Sequence, residues 1–335
     1  MRQISIVGLR GSGKTCYIYA MSKTMMRGIN SISINPIDDN LYNQLREGWR
    51  KIKTERKWPE NSDRVTKCEF TCFVQLRPVM DFCWDDYKGG SLTGLDTISA
   101  KEREEFYNSL SISDGIIFCV PADTIIEALE GDDDAQDDIN MLNRFILQYA
   151  SKNSLKGIPI TVAITKSDLL DKEELSIAFQ VVKKTLNNLF AKGTNVSALL
   201  VPISLGSNLK GLPGGEITGT INMDPKAGNI HLPVLFNLYF MLLEQIGEFS
   251  NNLKSLRSQL SNVNSTINMG TNMSALKRWW EGIDVDYLQK NKAEIEKSIE
   301  QKETELKGIR TDLEKIKSEF GSECEYYDNG DNKQF

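Results

Sequence analysis

Residues 8–15 read GLRGSGKT. Glycine, four residues, then glycine, lysine and threonine is a spacing suited to gripping a polyphosphate. Glycines let successive backbone N–H groups converge on phosphate oxygens beside the positive end of the helix that follows. The phosphate-binding set is then Gly8, Gly11, Ser12, Gly13, Lys14, Thr15 and Cys16. Lys14 reaches the β- and γ-phosphates, and Thr15 offers its hydroxyl to Mg²⁺. The competing reading is a chance glycine turn. The position of the motif, at the chain's first strand-to-helix junction, argues against it.

A second group, TKSD at 165–168, follows the apolar stretch IPITVAI. An aspartate just past such a strand can accept two hydrogen bonds from guanine N1–H and the exocyclic amine. Adenine has no such donor pair, and a carboxylate left unpaired against it loses affinity. Lys166 can lay its methylene stem across a base. Thr165, Lys166 and Asp168 are therefore the base-binding candidates. The tetrapeptide also reads as a helix start capped by Ser167 or Asp168.

The third stretch is WDDYKGG, residues 84–90, after the apolar residues 79–83. It reads either as an acidic turn at a strand end or as a corner that senses a metal-bound triphosphate. Gly90 has no side chain with which to orient a water.

These groups need a scaffold that brings three loops to one edge. ISIVG (4–8) reads as a buried strand, and a helix follows from Lys14 to the stop at Gly28. A second helix covers about 38–55. Residues 67–76 and 79–84 read as a strand hairpin turning at Arg77 and Pro78. A short helix falls at 100–110 and a continuous apolar strand at 115–122, as expected where helices cover both faces of a sheet. The acidic run EGDDDAQDD leads to a helix near 139–150. Then come the strand at 158–168, a helix near 172–191 and a last strand at 198–206. This alternation predicts a mainly parallel α/β sheet. A glycine-rich stretch, 206–230, breaks the pattern.

A long helix begins near Pro233. Leu253, Leu256, Leu260, Val263 and Ile267 recur at heptad-like spacing. After a break comes a second series, Ile295, Ile299, Leu306, Ile309, Leu313, Ile316 and Phe320. The pair predicts an antiparallel coiled-coil hairpin or, alternatively, two helices packed on the globular domain. Trp279 and Trp280 fall at its break; being adjacent they face different sides of a helix, so either one is buried and one binds a partner, or both cap the tip or pack at the break. The expected division is 1–246, 247–320 and a polar frayed tail at 321–335.

Composition limits the rest. The chain has 335 residues, 40% hydrophobic and 26% charged, with a net charge of −6. That balance points away from nucleic acid as the main partner. Six cysteines without a CxxC pair and a single histidine, His231, disfavour a Cys/His metal site and suit reduced thiols. No signal peptide or spanning segment is visible, so the expected location is cytoplasmic.

With GLRGSGKT, DYKG (86–89) and TKSD in this order, the chain resembles a Ras-like, TRAFAC-class P-loop GTPase over about residues 1–245. PISLG (202–206) is a loose fit to the last base-contacting loop, which adds Ser204 and Leu205. The DYKGG corner is similar to that of bacterial double-GTPase proteins linked to conflict or defence systems. The helical hairpin is similar in architecture to the stalks of large GTPases. The resemblance implies a P-loop NTPase three-layer sandwich with a mainly parallel sheet, plus the C-terminal α-helical hairpin. It places Asp86 near Mg²⁺, with Asp85 as competitor, and the Gly89 N–H at the γ-phosphate. It seeks a Mg²⁺-binding threonine within 57–69, where Thr66 is chosen and Ser62 held in reserve. With no glutamine at Gly90, three explanations stand: Arg10 is an arginine finger in cis (or a plain solvent-facing loop residue), with Lys88 a weaker candidate; a partner or second copy supplies the group; or the chain is mainly a GTP-dependent binder with slow turnover. The implied activity is slow GTP hydrolysis, with GTP and GDP as ligands and a protein partner or self-association through the hairpin. The rival readings are a P-loop ATPase or small-molecule kinase, and a scaffold with structural nucleotide.

Overall fold

The computed structural model describes residues 1–9, 11–60, 66–86, 104, 107, 108, 110–152, 158–194 and 196–335. They form two compact units, Met1–Phe240 with Ile316–Phe335, and Met241–Lys315.

The first unit is built on a nine-stranded sheet. Its strands are β1 (Arg2–Gly8), β2 (Ile32–Pro36), β3 (Thr66–Val74), β4 (Arg77–Asp86), β5 (Gly115–Pro121), β6 (Pro159–Thr165), β7 (Ser197–Pro202), β10 (Glu325–Asp328) and β11 (Asp331–Lys333). A separate two-stranded sheet pairs β8 (Gly206–Lys210) with β9 (Thr218–Ile221). The order in the large sheet is β11-β10-β7-β6-β5-β1-β4-β3-β2. The five central strands, β7, β6, β5, β1 and β4, are parallel, and antiparallel strands finish both edges.

The period of two explains the layers. On one face Ile116, Phe118 and Val120 join a core with Ile125, Leu142 and Phe179. These last three come from α3 (Ala122–Leu129), α4 (Asp133–Lys152) and α5 (Lys172–Thr185). Residues of the opposite parity, such as Ile117 and Cys119, are equally buried. On that face the first turns of α7 (Leu232–Thr271) press close, since a Cβ on Gly115 would fall 2.0 Å from Asn237 Oδ1. Strands buried on both faces carry unbroken apolar sequence, as β5 and β6 do at every residue. The observed fold is the expected three-layer P-loop NTPase α/β arrangement.

Several elements differ from the sequence expectation. The β3–β4 turn falls at Gln75 and Leu76, both at positive φ, rather than at Arg77 and Pro78. Val74 pairs directly with Arg77, so only two residues close the hairpin and both adopt left-handed geometry. The strand β2 was not foreseen. Helix α4 starts inside the acidic run, where the Asp132 carboxylate accepts from the Ala135 N–H at 2.9 Å. The helix expected at 172–191 stops at Thr185 and resumes as α6 (Asn187–Phe190). The glycine-rich stretch holds β8 and β9.

The largest correction concerns the frayed tail. Residues 325–328 pair antiparallel with β7, and 331–333 extend the sheet. Polar composition hid an aromatic anchor. Phe335 stacks on Phe320 with ring centroids 4.1 Å apart and meets Tyr326 at 4.7 Å and Tyr239 at 4.9 Å. Lys183 also pairs with Glu325 at 2.8 Å, tying β10 to α5.

The second unit consists of the remainder of α7, then α8 (Ala275–Trp280) and most of α9 (Val285–Lys317). Its two long helices run antiparallel. Arg257 bonds Glu303 at 2.6 Å, and Lys302 lies over the Phe249 ring. The seam residues Leu253, Ile295, Ile309 and Leu313 are buried. Trp279 and Trp280, expected to pack at the break, are 78% and 83% exposed.

Candidate functional site

Strand β1 lies between β4 and β5, so the chain leaves it on one side and returns on the other. Ligands of open α/β sheets bind at that switch point, beyond the carboxyl ends of the strands. The loop 8–15 leaves β1 at this place.

The geometry of the loop follows from its residue types. Gly8 packs so closely on β5 that a Cβ there would sit 2.6 Å from the Cys119 carbonyl and 2.7 Å from Ser12 Oγ. Gly11 and Gly13 have φ of 76° and 80°, a region open to glycine. Gly13 is also the N-cap of α1 (Lys14–Arg27), and the first backbone bond of that helix runs from the Tyr17 N–H to the Gly13 carbonyl at 2.8 Å. Residues ahead of Tyr17 precede the i→i−4 ladder, leaving their amides to serve as an anion-binding end. Around Gly11 an added Cβ would meet no atom of the described residues within 4 Å.

Lys14 is only 7% exposed. Its ammonium donates to the carbonyls of Gly8 at 2.9 Å and Leu9 at 3.1 Å, with Ser12 Oγ at 3.5 Å. The cation is thus held at the mouth of the loop by the loop's own oxygens. Thr15 is half-buried at the next position. Burial pushes the Cys16 thiol up to about 12, against the opposing charge of Lys166, so Cys16 is a neutral packing group and no thiolate nucleophile.

The TKSD segment sits beside this loop. The Cβ of Thr165 lies 4.0 Å from the place a Gly13 Cβ would occupy. Thr165 is buried and its hydroxyl oxygen has no hydrogen-bond partner among the described residues. Lys166 takes a left-handed conformation, φ 55°, and pairs with Asp123 in the first turn of α3. Asp123 was missed from the sequence, where nothing beyond its place after a strand marked it. Residues 167–169 form a 3₁₀ turn. Asp168 does not cap it for α5, since Asp171 does that with a full capping box to Glu174. Instead Asp168 Oδ2 accepts from the Leu209 N–H at 2.9 Å. Burial raises the Asp168 pKa, and the Leu209 hydrogen bond and Lys166 oppose that shift.

The loop after β7 is joined to the same edge. The Ser167 N–H donates to the Ile203 carbonyl at 3.2 Å, and the Ser204 N–H to the Gly228 carbonyl at 3.0 Å. Leu205 is buried and its carbonyl accepts from the Asn222 N–H at 2.8 Å.

For the metal candidates, backbone register gives the placement. Asp86 ends β4 beside Ile6, two residues before Gly8. Thr66 opens β3 directly opposite Asp86. The two therefore share one rung of the sheet at the loop's edge. Arg10, Ser62, Lys88, Gly89 and Gly90 lie outside the described residues. Among the described residues no group of three or more His, Cys, Asp or Glu could hold a metal ion. The set Thr15, Asp86 and Thr66 offers oxygen alone, which fits a hard cation such as Mg²⁺ shared with phosphate oxygens.

A scan against protein families matches none, and no curated protein matches. Solved structures do. A bacterial selenocysteine-specific elongation factor, EF-Sec, matches at 18% identity and a TM-score of 0.33 over 61% of this chain and 26% of that one. SelB from Methanococcus maripaludis, in complex with the GTP analogue GPPNHP, matches at 17% and 0.28, covering 61% and 29%. Sup35 complexed with GDP matches at 11% and 0.30, covering 61% and 36%. The chain thus spans only about a quarter to a third of the length of these proteins. The strand order and the phosphate loop, rather than these scores, define a P-loop NTPase fold. Among the described residues no helix is long and apolar enough to cross a membrane.

Proposed function

We propose that this chain is a GTP-binding switch that hydrolyses GTP to GDP and phosphate. Its nucleotide state governs partner recruitment or self-assembly through the helical unit. The observation that carries the reading is the meeting of two loops at the switch point. The phosphate loop and the segment bearing Lys166 and Asp168 come close at Gly13 and Thr165, where a Cβ on the glycine would lie 4.0 Å from that of Thr165. A ligand spanning both must join a polyphosphate to a base that offers hydrogen-bond donors to a carboxylate. GTP has that composition.

In this reading Lys14 exchanges its loop carbonyls for β- and γ-phosphate oxygens. It offsets the charge that develops as water attacks the γ-phosphorus and the bond to the β–γ bridging oxygen breaks. The amides ahead of Tyr17 hold the phosphates. Thr15, Asp86 and Thr66 would hold Mg²⁺, which would supply positive charge to offset that of the phosphates. Lys166 lies along the base, Asp168 selects guanine, and Ser204 and Leu205 border it. From the sequence alone, Gly89 is assigned to the γ-phosphate and Arg10 to the finger in cis. The DYKGG corner, also read from sequence alone, aligns the chain with GTPases of bacterial conflict systems. The helical unit, Met241–Lys315, is the output, and its exposed tryptophans are the surface for a protein partner.

Calorimetry with Mg²⁺ and GTP, GDP or ATP tests the reading, followed by chromatography of the products. Guanosine nucleotides should bind, ATP should not compete, and GDP should accumulate slowly. Equal affinity for ATP would replace the reading with an ATPase, and no heat with any guanosine nucleotide would end it.

A further inference from the structure

The glycine-rich stretch 206–221 has no role in the assignment above, yet it touches two parts of the site. At one end it holds Asp168 through the Leu209 N–H. This bond exists because the β8–β9 ladder is irregular. Ser207 pairs with Thr220 and Lys210 with Thr218, so Asn208 and Leu209 form a bulge. A bulge frees an amide that a regular ladder would consume, and bulges re-aim groups beside binding sites. Asn208 takes φ 52° to make it, and a Cβ on Gly219 would lie 2.2 Å from the Asn208 carbonyl. The two residues are thus fitted to each other.

At the other end the hairpin is fastened to residues 56–60, the approach to the expected first switch. The Arg56 guanidinium donates to the carbonyls of Ile217 at 3.0 Å and Gly219 at 2.6 Å. The Ile217 N–H donates to the Arg56 carbonyl at 2.7 Å, the Trp58 N–H to Gly215 at 2.9 Å and the Gly214 N–H to Pro59 at 3.1 Å. Trp58 Nε1 reaches the Lys210 carbonyl at 3.4 Å. Arg56 itself is held at φ 56°, a conformation that a non-glycine residue keeps only when its surroundings fix it.

We propose that the 206–221 hairpin is a positioning element for base recognition, in which the bulge amide of Leu209 aims the Asp168 carboxylate and Arg56 fixes the hairpin to the 56–60 segment. The inference rests on the guanine reading of Asp168. A carboxylate has about four lone-pair sites, so Oδ2 can keep the Leu209 bond while the group also accepts from a base. Arg56 and Leu209 are positioning residues, since neither is assigned to the nucleotide. The arrangement links base occupancy to the 56–60 segment through one rigid hairpin.

The test compares affinities for GDP and for inosine diphosphate, which lacks the exocyclic amine, in the full chain. Inorganic triphosphate reports the phosphate loop alone. Arg56→Ala should lower the GDP-to-inosine ratio roughly five- to tenfold, as expected for coupled groups. Triphosphate affinity should stay within about twofold and Arg56→Lys should restore part of the ratio, as one charge-assisted donor is regained. Leu209→Pro removes the N–H directly and should lower the same ratio, guarding against a folding defect confined to the arginine variant. Equal weakening of GDP and inosine diphosphate, or an unchanged ratio in both variants, overturns the positioning role while leaving guanine binding intact. A native chain that binds triphosphate but does not prefer GDP over inosine diphosphate overturns the guanine reading itself, and this inference with it.

Discussion

Replacing Lys14 with alanine separates binding from folding. In the free protein the ammonium already donates to Gly8 and Leu9 at 2.9 and 3.1 Å. In the nucleotide-binding reading, bonds to phosphate oxygens replace contacts the ammonium already makes, these two carbonyls among them, and the gain is a difference. Hydrogen bonds involving charged groups contribute about 1.5–3 kcal/mol each. Two of them give about 3–6 kcal/mol, and the exchanged carbonyl bonds pull the value to the lower end. Every 1.4 kcal/mol is tenfold, so Lys14→Ala should weaken GTP by about a hundredfold or more. Stability should move little. The substitution leaves the carbonyls of the buried Gly8 and Leu9 without this donor, and it also removes the cost of confining a charge at 7% exposure, so the two effects oppose each other. A net effect near 1 kcal/mol shifts the melting midpoint of a domain this size by about 2–4 °C. Calorimetric titration with Mg²⁺–GTP and a thermal melt on the same sample measure both. An affinity within threefold of the native value at an unchanged melt would refute the placement of phosphate at Lys14.

Gly8→Ala should cost about 1–3 kcal/mol in urea unfolding, because its Cβ would press on the Cys119 carbonyl at 2.6 Å. An unchanged midpoint would mean β1 and β5 are not so close. Asp168→Asn should shift preference from guanine to xanthine nucleotides, measured by competition, since the amide can donate where the carboxylate could only accept. Burial pushes the His231 pKa from 6.5 down to about 4, against the pull of Glu319, 3.4 Å away. The unfolded chain takes up the proton near pH 6.5 and the folded chain only near pH 4, so this contribution is full above about pH 6.5 and is lost as pH falls toward 4. Linkage, at 1.36 kcal/mol per unit, gives it about 3 kcal/mol. His231→Gln should flatten that part of the stability–pH curve, and an identical slope in both proteins would show that His231 is not the group responsible.

The parts of the fold around the candidate site that local chemistry makes were legible in the sequence. Glycine positions, a lysine and a threonine define the phosphate loop without tertiary help, and unbroken apolar runs mark β5 and β6. The parts made by long-range pairing were not. Strands β10 and β11 have no apolar alternation, because their sheet position is secured by Phe335 packing on Phe320 and Tyr326 and by the Lys183–Glu325 pair. The β8–β9 hairpin hid behind its glycines, which reflect close backbone approach rather than loop freedom. The partner of Asp168 was invisible for a related reason: a main-chain amide carries no residue signature. Arg56 and Asp123 likewise looked like ordinary surface charges.

The return of the chain to the sheet at β10 also has a temporal side. Strand β7 is complete at Pro202, yet the segment that covers its outer edge starts at Glu325. At synthesis rates of about 5–20 residues per second, the roughly 120 intervening residues take about 6–25 seconds. For that interval a nascent chain carries a bare row of amides and carbonyls beside a buried apolar strand. A chaperone, or the ribosome surface, has that window in which to shield it, and slowing translation within the helical insertion should lengthen the exposure in proportion.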